Sequence, residues 1–154
     1  DPHVSIMEVR DFLGRIPIEM TPNETSRRVG ELDLSWFDAG LKQMGMTQWA
    51  YEATSGCLFT SDTFGYRHAA TAESPVVIDS TRGLPCVDAV AREIVARINW
   101  LREADAPELI ERIEAVFAAH DVRLLAPVHG CVIRGREAVA AHLRLTLAAL
   151  KRAR

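Results

Sequence analysis

Leu58-Phe59-Thr60-Ser61-Asp62-Thr63-Phe64-Gly65 is the stretch that most constrains the fold, because an apolar β-like run ends there in a carboxylate and turn residues. Gly65 allows the backbone to turn sharply, so Asp62 is expected to project from the end of a strand. A second stretch, Ala126-Pro127-Val128-His129-Gly130, places an imidazole at the end of another short run. Each stretch therefore offers one potential metal ligand at a strand end.

Both candidate ligands also have ordinary structural interpretations. An Asp after a strand often accepts backbone N–H bonds in its own turn, and Asp62 could do only that. His129 could equally be a semi-buried histidine whose hydrogen bonds are satisfied within the fold. The two residues taken alone leave these alternatives open.

The composition predicts one soluble domain over residues 1–154, since 48% of the residues are hydrophobic and 25% are charged. A net charge of −3 disfavours nucleic acid as a partner. No apolar run is long enough to span a bilayer, so no membrane contact is expected. The three cysteines suggest thiols in a reducing cytoplasm. The sequence starts at Asp1 rather than Met, which leads us to expect a processed or fragmentary terminus.

Strands are predicted in the first half of the chain. Residues 31–37 and 47–52 alternate polar and apolar side chains, which is typical of half-buried strands. Turn residues at 53–56 then lead into Cys57-Leu58-Phe59 and predict a hairpin. Residues 15–20 are a further candidate strand, although Pro17 would restrict it to an edge. Residues 66–81 show no clear period and are predicted to form a long loop.

Three helices are predicted in the second half, with short strands between the second and third. Residues 87–102 carry apolar side chains at spacings of three and four, and Pro107 suits the first turn of a second helix that ends near His120. Residues 122–126 are predicted as a buried strand that 131–133 could extend, and residues 137–152 as the last helix. The fold class is thus α+β or α/β.

Several other residues have mainly structural interpretations. His68 could be an outer-sphere donor near a metal or an exposed loop residue, and His142 is expected at a solvent boundary of the last helix. Cys131 is expected to be buried as a small apolar side chain. Three tryptophans fall on predicted apolar faces and are expected in the core: Trp36, Trp49 and Trp100. No serine-hydrolase elbow or nucleotide-binding loop is present.

The Asp62 stretch with His68, and Leu125-Ala126-Pro127-Val128-His129-Gly130, resemble the carboxyl-terminal half of metallo-β-lactamase-fold proteins, closest to the flavodiiron and oxygen-binding diiron proteins. The resemblance covers roughly residues 30–150. It implies half of an αββα sandwich, in which Asp62 bridges two irons, or zinc ions, and His129 binds one of them. Where the family has a further His, this chain has Gln43 or Met44, and Gln43 would be a weak ligand. No flavin site is visible.

The resemblance also implies a partner. The amino-terminal half with its His-x-Glu-x-Asp-His motif does not occur in this sequence, so an apolar sheet face would be left uncovered. We expect a second copy of the chain or a separate amino-terminal half to cover that face. The complete protein would reduce oxygen or nitric oxide, or perform metal-assisted hydrolysis. The alternative is a non-catalytic half-domain that acts in dimerisation or ligand sensing.

Overall fold

The computed structural model describes residues 22–38, 41–42, 47–66 and 76–153. These residues form a mixed sheet of seven strands and three α-helices. The strands are β1 (Thr25–Val29), β2 (Leu32–Asp38), β3 (Gln48–Glu52), β4 (Cys57–Ser61), β5 (Val77–Ile78), β6 (Leu124–Pro127) and β7 (Val132–Arg134). The helices are α1 (Val87–Arg97), α2 (Ala106–Ala119) and α3 (Arg136–Arg152), with a 3₁₀ turn at Asn99–Glu103.

The sheet has the order β1-β2-β3-β4-β6-β7-β5. Strands β1 to β4 form an antiparallel meander. It contains the two strands predicted from alternation, β2 and β3, and the predicted hairpin into β4. Strand β6 then lies parallel to β4, with Leu58 beside Leu125. The intervening chain carries α1 and α2, so this parallel pair is joined by a long crossover, as parallel strands require.

One sheet face packs on the helices. A row of side chains crosses the sheet on this face, and it comprises Tyr51, Leu58, Leu125, Ile133 and Ile78. Leu58, Leu125 and Ile133 are completely buried, and they share a hydrophobic core with apolar residues of all three helices. These side chains form part of the sheet's contribution to the core.

The opposite sheet face, which we call the open face, also carries apolar side chains. Its middle row consists of Trp36, Ala50, Phe59 and Ala126, and Phe59 is 46% exposed. None of the described helices packs on this face, because the helical core residues cluster with the other row. The side chains on the open face are therefore apolar, as on a buried sheet surface, but no described helix covers them.

The hairpin between β3 and β4 is held by Glu52. Its carboxylate accepts the backbone N–H groups of Thr54 and Ser55, both at 2.8 Å, and the Ser55 hydroxyl at 2.5 Å. These hydrogen bonds from Ser55 and Thr54 lower the pKa of Glu52 from 4.5 to about 2. Gly56 completes the turn with φ +68, in the left-handed region that glycine tolerates.

The helices largely follow the predicted periods. Helix α2 begins as expected near Pro107, and the Asp105 side chain caps it by accepting the Glu108 N–H. Helix α1 is shorter than predicted, because Ile98 leaves the helical conformation with φ −117 and ψ 78. The 3₁₀ turn that follows then buries Leu101 in the core. No helix among the described residues is long and apolar enough to cross a membrane.

Two strands were missed by the sequence patterns. Strand β1 has only polar side chains and Val29, most of them exposed, so no apolar alternation marks it as an edge strand. Strand β5 lies inside the segment 66–81 predicted as loop, and its two residues are too few to show a period. The candidate strand at 15–20 lies outside the described residues.

Of the other predictions for single residues, some are confirmed and one is wrong. Trp49 and Cys131 are buried as predicted, and the three cysteines are thiols rather than disulfides. The core prediction for Trp100 is wrong: it is 38% exposed, and its Nε1 donates to the Lys42 carbonyl at 2.7 Å. Trp36 lies half-buried on the open face. His120 caps the end of α2, as expected.

Candidate functional site

The two candidate ligands lie at neighbouring strand ends. Asp62 directly follows β4, and His129 lies two residues beyond the end of β6. Because β4 and β6 are adjacent and parallel, their carboxyl ends meet at the same edge of the sheet. The Asp62 Oδ1 and His129 Nε2 atoms are 3.7 Å apart. The structure thus brings together two side chains that are separated by more than sixty positions in the sequence.

The Asp62 loop, which we define as residues 61–66, is mostly buried. Phe64 is 1% exposed and packs against the rings of Trp49 and Phe117, with centroid distances of 6.1 and 6.0 Å. Thr63 and Tyr66 are buried as well. The aromatic side chain therefore anchors the loop in the core, while the side chain of Asp62, at the edge of the sheet, keeps 12% of its area exposed.

Two residues of the Asp62 loop have unusual backbone conformations. Ser61 has φ 49 and Phe64 has φ 65, in the left-handed region that non-glycine residues seldom occupy. The loop is also closed by hydrogen bonds from Thr60 Oγ1 to the Thr63 carbonyl at 2.8 Å and from the Gly65 N–H to the Asp62 carbonyl at 3.3 Å. Such local strain is concentrated at functional sites, where the surrounding structure holds it in place.

The His129 loop, residues 128–130, contacts the Asp62 loop through the backbone. The Val128 N–H donates to the Ser61 carbonyl at 2.8 Å. Gly130 has φ +86, and a Cβ atom placed there would lie 3.1 Å from the Tyr66 carbonyl oxygen. The two loops are therefore close enough that a side chain at Gly130 would displace one of them.

His129 itself is exposed, with 60% of its side chain accessible. The semi-buried alternative for His129 is wrong, because its loop extends beyond the end of β6 and carries the imidazole outside the core. Asp62 accepts a hydrogen bond from the Ser61 hydroxyl at 3.2 Å. An exposed imidazole facing a carboxylate provides one nitrogen and one oxygen donor at one point on the sheet edge.

These two donor atoms are of types that iron and zinc bind, and their separation is close to that of two ligands on one ion. Imidazole nitrogen and carboxylate oxygen are common ligands of both metals. Two donors on one ion are roughly 3 to 3.5 Å apart when each bond is about 2.1 Å long. The observed 3.7 Å separation needs only a small side-chain rotation to reach that range. Among the described residues, no three His, Cys, Asp or Glu side chains converge on one point.

Gln43, its alternative Met44, and His68 all lie outside the described residues. Their assignment as a weak ligand and an outer-sphere donor therefore stays a prediction. The described part of the site consists of Asp62 and His129.

A buried polar pair near the site was missed by the sequence patterns. The Tyr66 hydroxyl and His142 Nδ1 are 2.6 Å apart, and the two rings stack. Burial raises the pKa of the Tyr66 hydroxyl, so it remains protonated as a hydrogen-bonding group. The prediction that His142 lies at a solvent boundary is wrong, since it is completely buried. Its spacing from Val139 and Thr146 on the buried face of α3 is the signal that could have shown this.

Comparison with solved structures identifies this fold. The chain is similar to rubredoxin oxygen:oxidoreductase from Desulfovibrio gigas, with a TM-score of 0.69 and 17% identity over 97% of this chain and 36% of that one. A flavodiiron protein from Giardia intestinalis gives a TM-score of 0.64 and 15% identity over 95% and 34%. A flavodiiron protein variant from Thermotoga maritima gives 0.64 and 16% over 91% and 33%. No family profile and no curated protein matches the sequence.

The chain has the α+β fold of one segment of flavodiiron proteins, as the resemblance predicted. It spans about a third of the length of these three relatives, which agrees with the prediction of a half of the sandwich. Identities of 15 to 17% establish the shared fold.

Proposed function

We propose that this chain is the carboxyl-terminal portion of a metallo-β-lactamase-fold protein of diiron type, and that Asp62 and His129 are two of its metal ligands. The observation that supports this most directly is the 3.7 Å approach of these side chains at the ends of β4 and β6. The strained backbone at Ser61 and Phe64 supports it as well.

The chemistry of the complete protein is part of the same proposal. A metal ion held there would supply a Lewis acid and, in the case of iron, a redox-active centre. The similarity to a protein described as an oxygen:oxidoreductase favours reduction of oxygen or nitric oxide over metal-assisted hydrolysis. Asp62 would contribute negative charge and His129 a neutral nitrogen donor, and electrons would arrive from outside this chain. The three thiols are compatible with a cytoplasmic location.

A proposal about partners follows from the apolar side chains of the open face. Phe59 and the half-buried Trp36 lie on a sheet surface that no described helix covers, at the face where a second layer would complete a sandwich. We propose that an amino-terminal half or a second copy of this chain covers it. The covering layer would also bring the additional ligands that the described residues lack.

A non-catalytic half-domain is the second candidate function. It is favoured by the fact that only two potential ligands meet among the described residues. Such a protein would keep the fold for dimerisation or ligand sensing. Metal analysis distinguishes the two, since about two equivalents of iron or zinc per chain would exclude the non-catalytic candidate.

Asp62→Ala tests the assigned ligand. We expect the variant to lose bound iron or zinc and to stay folded, because Asp62 follows the end of β4 and lies outside the hydrophobic core. Metal content by elemental analysis and chemical denaturation give the two readings. Asp79→Ala is the matched control, because Asp79 is an exposed carboxylate paired with Arg134 away from the site.

Two results would contradict the proposal. One is a wild-type chain that takes up no metal on reconstitution with its partner present. The other is unchanged metal content in Asp62→Ala, together with a loss of about 1 kcal/mol of stability, which would assign Asp62 a role in its own turn.

A further inference from the structure

We propose that Arg97 is a positioning residue that fixes the Asp62 loop against the His129 loop. This inference rests on the proposed function of Asp62 and His129 as metal ligands. Arg97 is the last residue of α1 and lies outside both stretches that supplied the candidate ligands. Its role follows from contacts that only the tertiary structure creates.

Arg97 reaches from the end of α1 to the backbone of the Asp62 loop. Its Nη1 donates to the Gly65 carbonyl at 2.5 Å, and its side chain is 29% exposed. Its Nη2 lies 3.9 Å from the Glu93 carboxylate one turn earlier on the same helix. A hydrogen bond from a charged, partly buried donor is stronger than one between neutral groups. Arg97 therefore ties the loop to α1.

Gly65 is the point at which this contact reaches the His129 loop. A Cβ atom placed at Gly65 would lie 2.9 Å from Arg97 Nη1 and 2.9 Å from the His129 carbonyl oxygen. The guanidinium and the backbone of His129 thus share the space beside Gly65 that a side chain would fill. Loss of the Arg97 side chain would remove the hydrogen bond that holds the Gly65 carbonyl next to the His129 loop.

The contact between Arg97 and Gly65 matters because the neighbouring backbone is strained. Ser61 and Phe64 hold left-handed conformations on either side of Asp62, and such conformations persist only where neighbouring structure maintains them. Phe64 is fixed by its aromatic contacts, and the Ser61 carbonyl by the Val128 N–H. Arg97 supplies the third fixed point, at Gly65. With three points fixed, the Asp62 carboxylate is held at its distance from His129.

The test compares the full 154-residue chain with Arg97→Ala, Arg97→Lys and Arg92→Ala. In the metal-free protein, amide hydrogen exchange by NMR reports local opening at the Gly65 and Val128 N–H groups. In a Zn²⁺ titration, the ring signals of His129 report binding at the site. Arg92 is exposed on the same helix, so its variant controls for the loss of one positive charge from α1.

In Arg97→Ala we expect exchange at Gly65 and Val128 to be faster by about tenfold and the dissociation constant for Zn²⁺ to rise by about tenfold, since one charged hydrogen bond is lost. Exchange at Tyr51 in β3 and melting of the whole protein should change little. Arg97→Lys retains a cationic donor and should restore part of both effects. Arg92→Ala should match the wild type in both measurements.

The inference is overturned if Gly65 and Val128 exchange within twofold of the wild type in Arg97→Ala. If Arg97→Ala does not fold, Arg97→Lys decides in the same way, with about a threefold increase in exchange expected. Wild-type protein that binds no Zn²⁺ at His129 even with its covering half present would refute the proposed ligand role, whereas the exchange measurement would still decide the role of Arg97.

Discussion

Gly65 lies where the loops of the two candidate ligands touch. It lies three positions after Asp62, and its missing side chain lets the two loops touch through their backbones. The sequence suggested Gly65 only as a turn residue after Asp62. The structure adds that the space for any side chain is already occupied by the His129 carbonyl and the Arg97 guanidinium.

Gly65→Ala should separate the two loops. The new Cβ would meet the His129 carbonyl oxygen at 2.9 Å, and a backbone atom cannot move as easily as a flexible side chain. We expect a loss of roughly 1–3 kcal/mol of stability and weaker metal binding. Thermal unfolding and metal titration measure these effects.

Gly83→Ala is the control for Gly65→Ala. Its Cβ would meet nothing within 4 Å, although φ +72 adds local strain. It should therefore lower stability without changing metal affinity. Equal metal affinity in Gly65→Ala and the wild type would show that contact at Gly65 does not govern the site.

At the scale of elements, the β3–β4 hairpin brings the Asp62 stretch to its place, and its turn depends on one carboxylate. Glu52 is 4% exposed and receives three hydrogen bonds from Thr54 and Ser55. The sequence predicted the turn from Ala53-Thr54-Ser55-Gly56. It did not indicate that the last residue of the preceding strand closes the turn.

We expect the Glu52→Gln variant to lose less stability than the wild type as the pH falls. The folded-state pKa of Glu52 is about 2, below its ordinary 4.5, so its stabilisation is fully present above pH 4.5 and is lost as the pH falls toward 2. The wild type should therefore exceed the variant in stability at pH 6, and the difference should shrink between pH 4.5 and 2.

Chemical denaturation of wild type and Glu52→Gln over this pH range measures the effect. Glu111→Gln, at an exposed position of α2, corrects for the loss of one negative charge. A stability difference between wild type and Glu52→Gln that does not change from pH 6 to pH 2 would contradict the role of Glu52.

At the scale of the whole molecule, the sheet has one face buried by helices and one open face. The two faces are built by the same strands, since Leu58 points to the core and Phe59 to the open face. Strand β4 carries apolar side chains on both of its faces, which is typical of a strand that is buried on two sides. A second layer over the open face would use this pattern.

Phe59→Lys should weaken whatever association covers the open face. If copies of this chain cover each other, each dimer loses two buried aromatic side chains at about 2 kcal/mol each, or roughly a 1,000-fold weaker dimer. Sedimentation of the wild type and variant over a concentration series measures this. Leu84→Lys, at an exposed apolar position before α1, is the control.

A wild-type chain that stays monomeric at high concentration would refute self-association over the open face. Binding of a separately produced amino-terminal half, weakened by Phe59→Lys but not by Leu84→Lys, would then identify the alternative partner. Failure of both would leave no role for the apolar face in assembly and would refute the proposal about partners.

The sequence alone was sufficient where a local pattern repeats. Strands β2, β3 and β4, helix α2 and most of α3 follow from alternation or from spacings of three and four, because these periods match the geometry of each element. It failed where the pattern is short or polar, as in β1 and β5. It also failed at His142, a polar residue that the core accommodates through Tyr66.

For this protein, the sequence by itself determined the order of the longer strands and of the helices, the fold family and the choice of Asp62 and His129 as candidate ligands. Only the tertiary structure decided that these two side chains meet, and that Arg97 and His142 contact the Asp62 loop. The physical reason is that strand pairing and side-chain packing join residues far apart in the chain. Such contacts depend on how elements dock, and no local period records that.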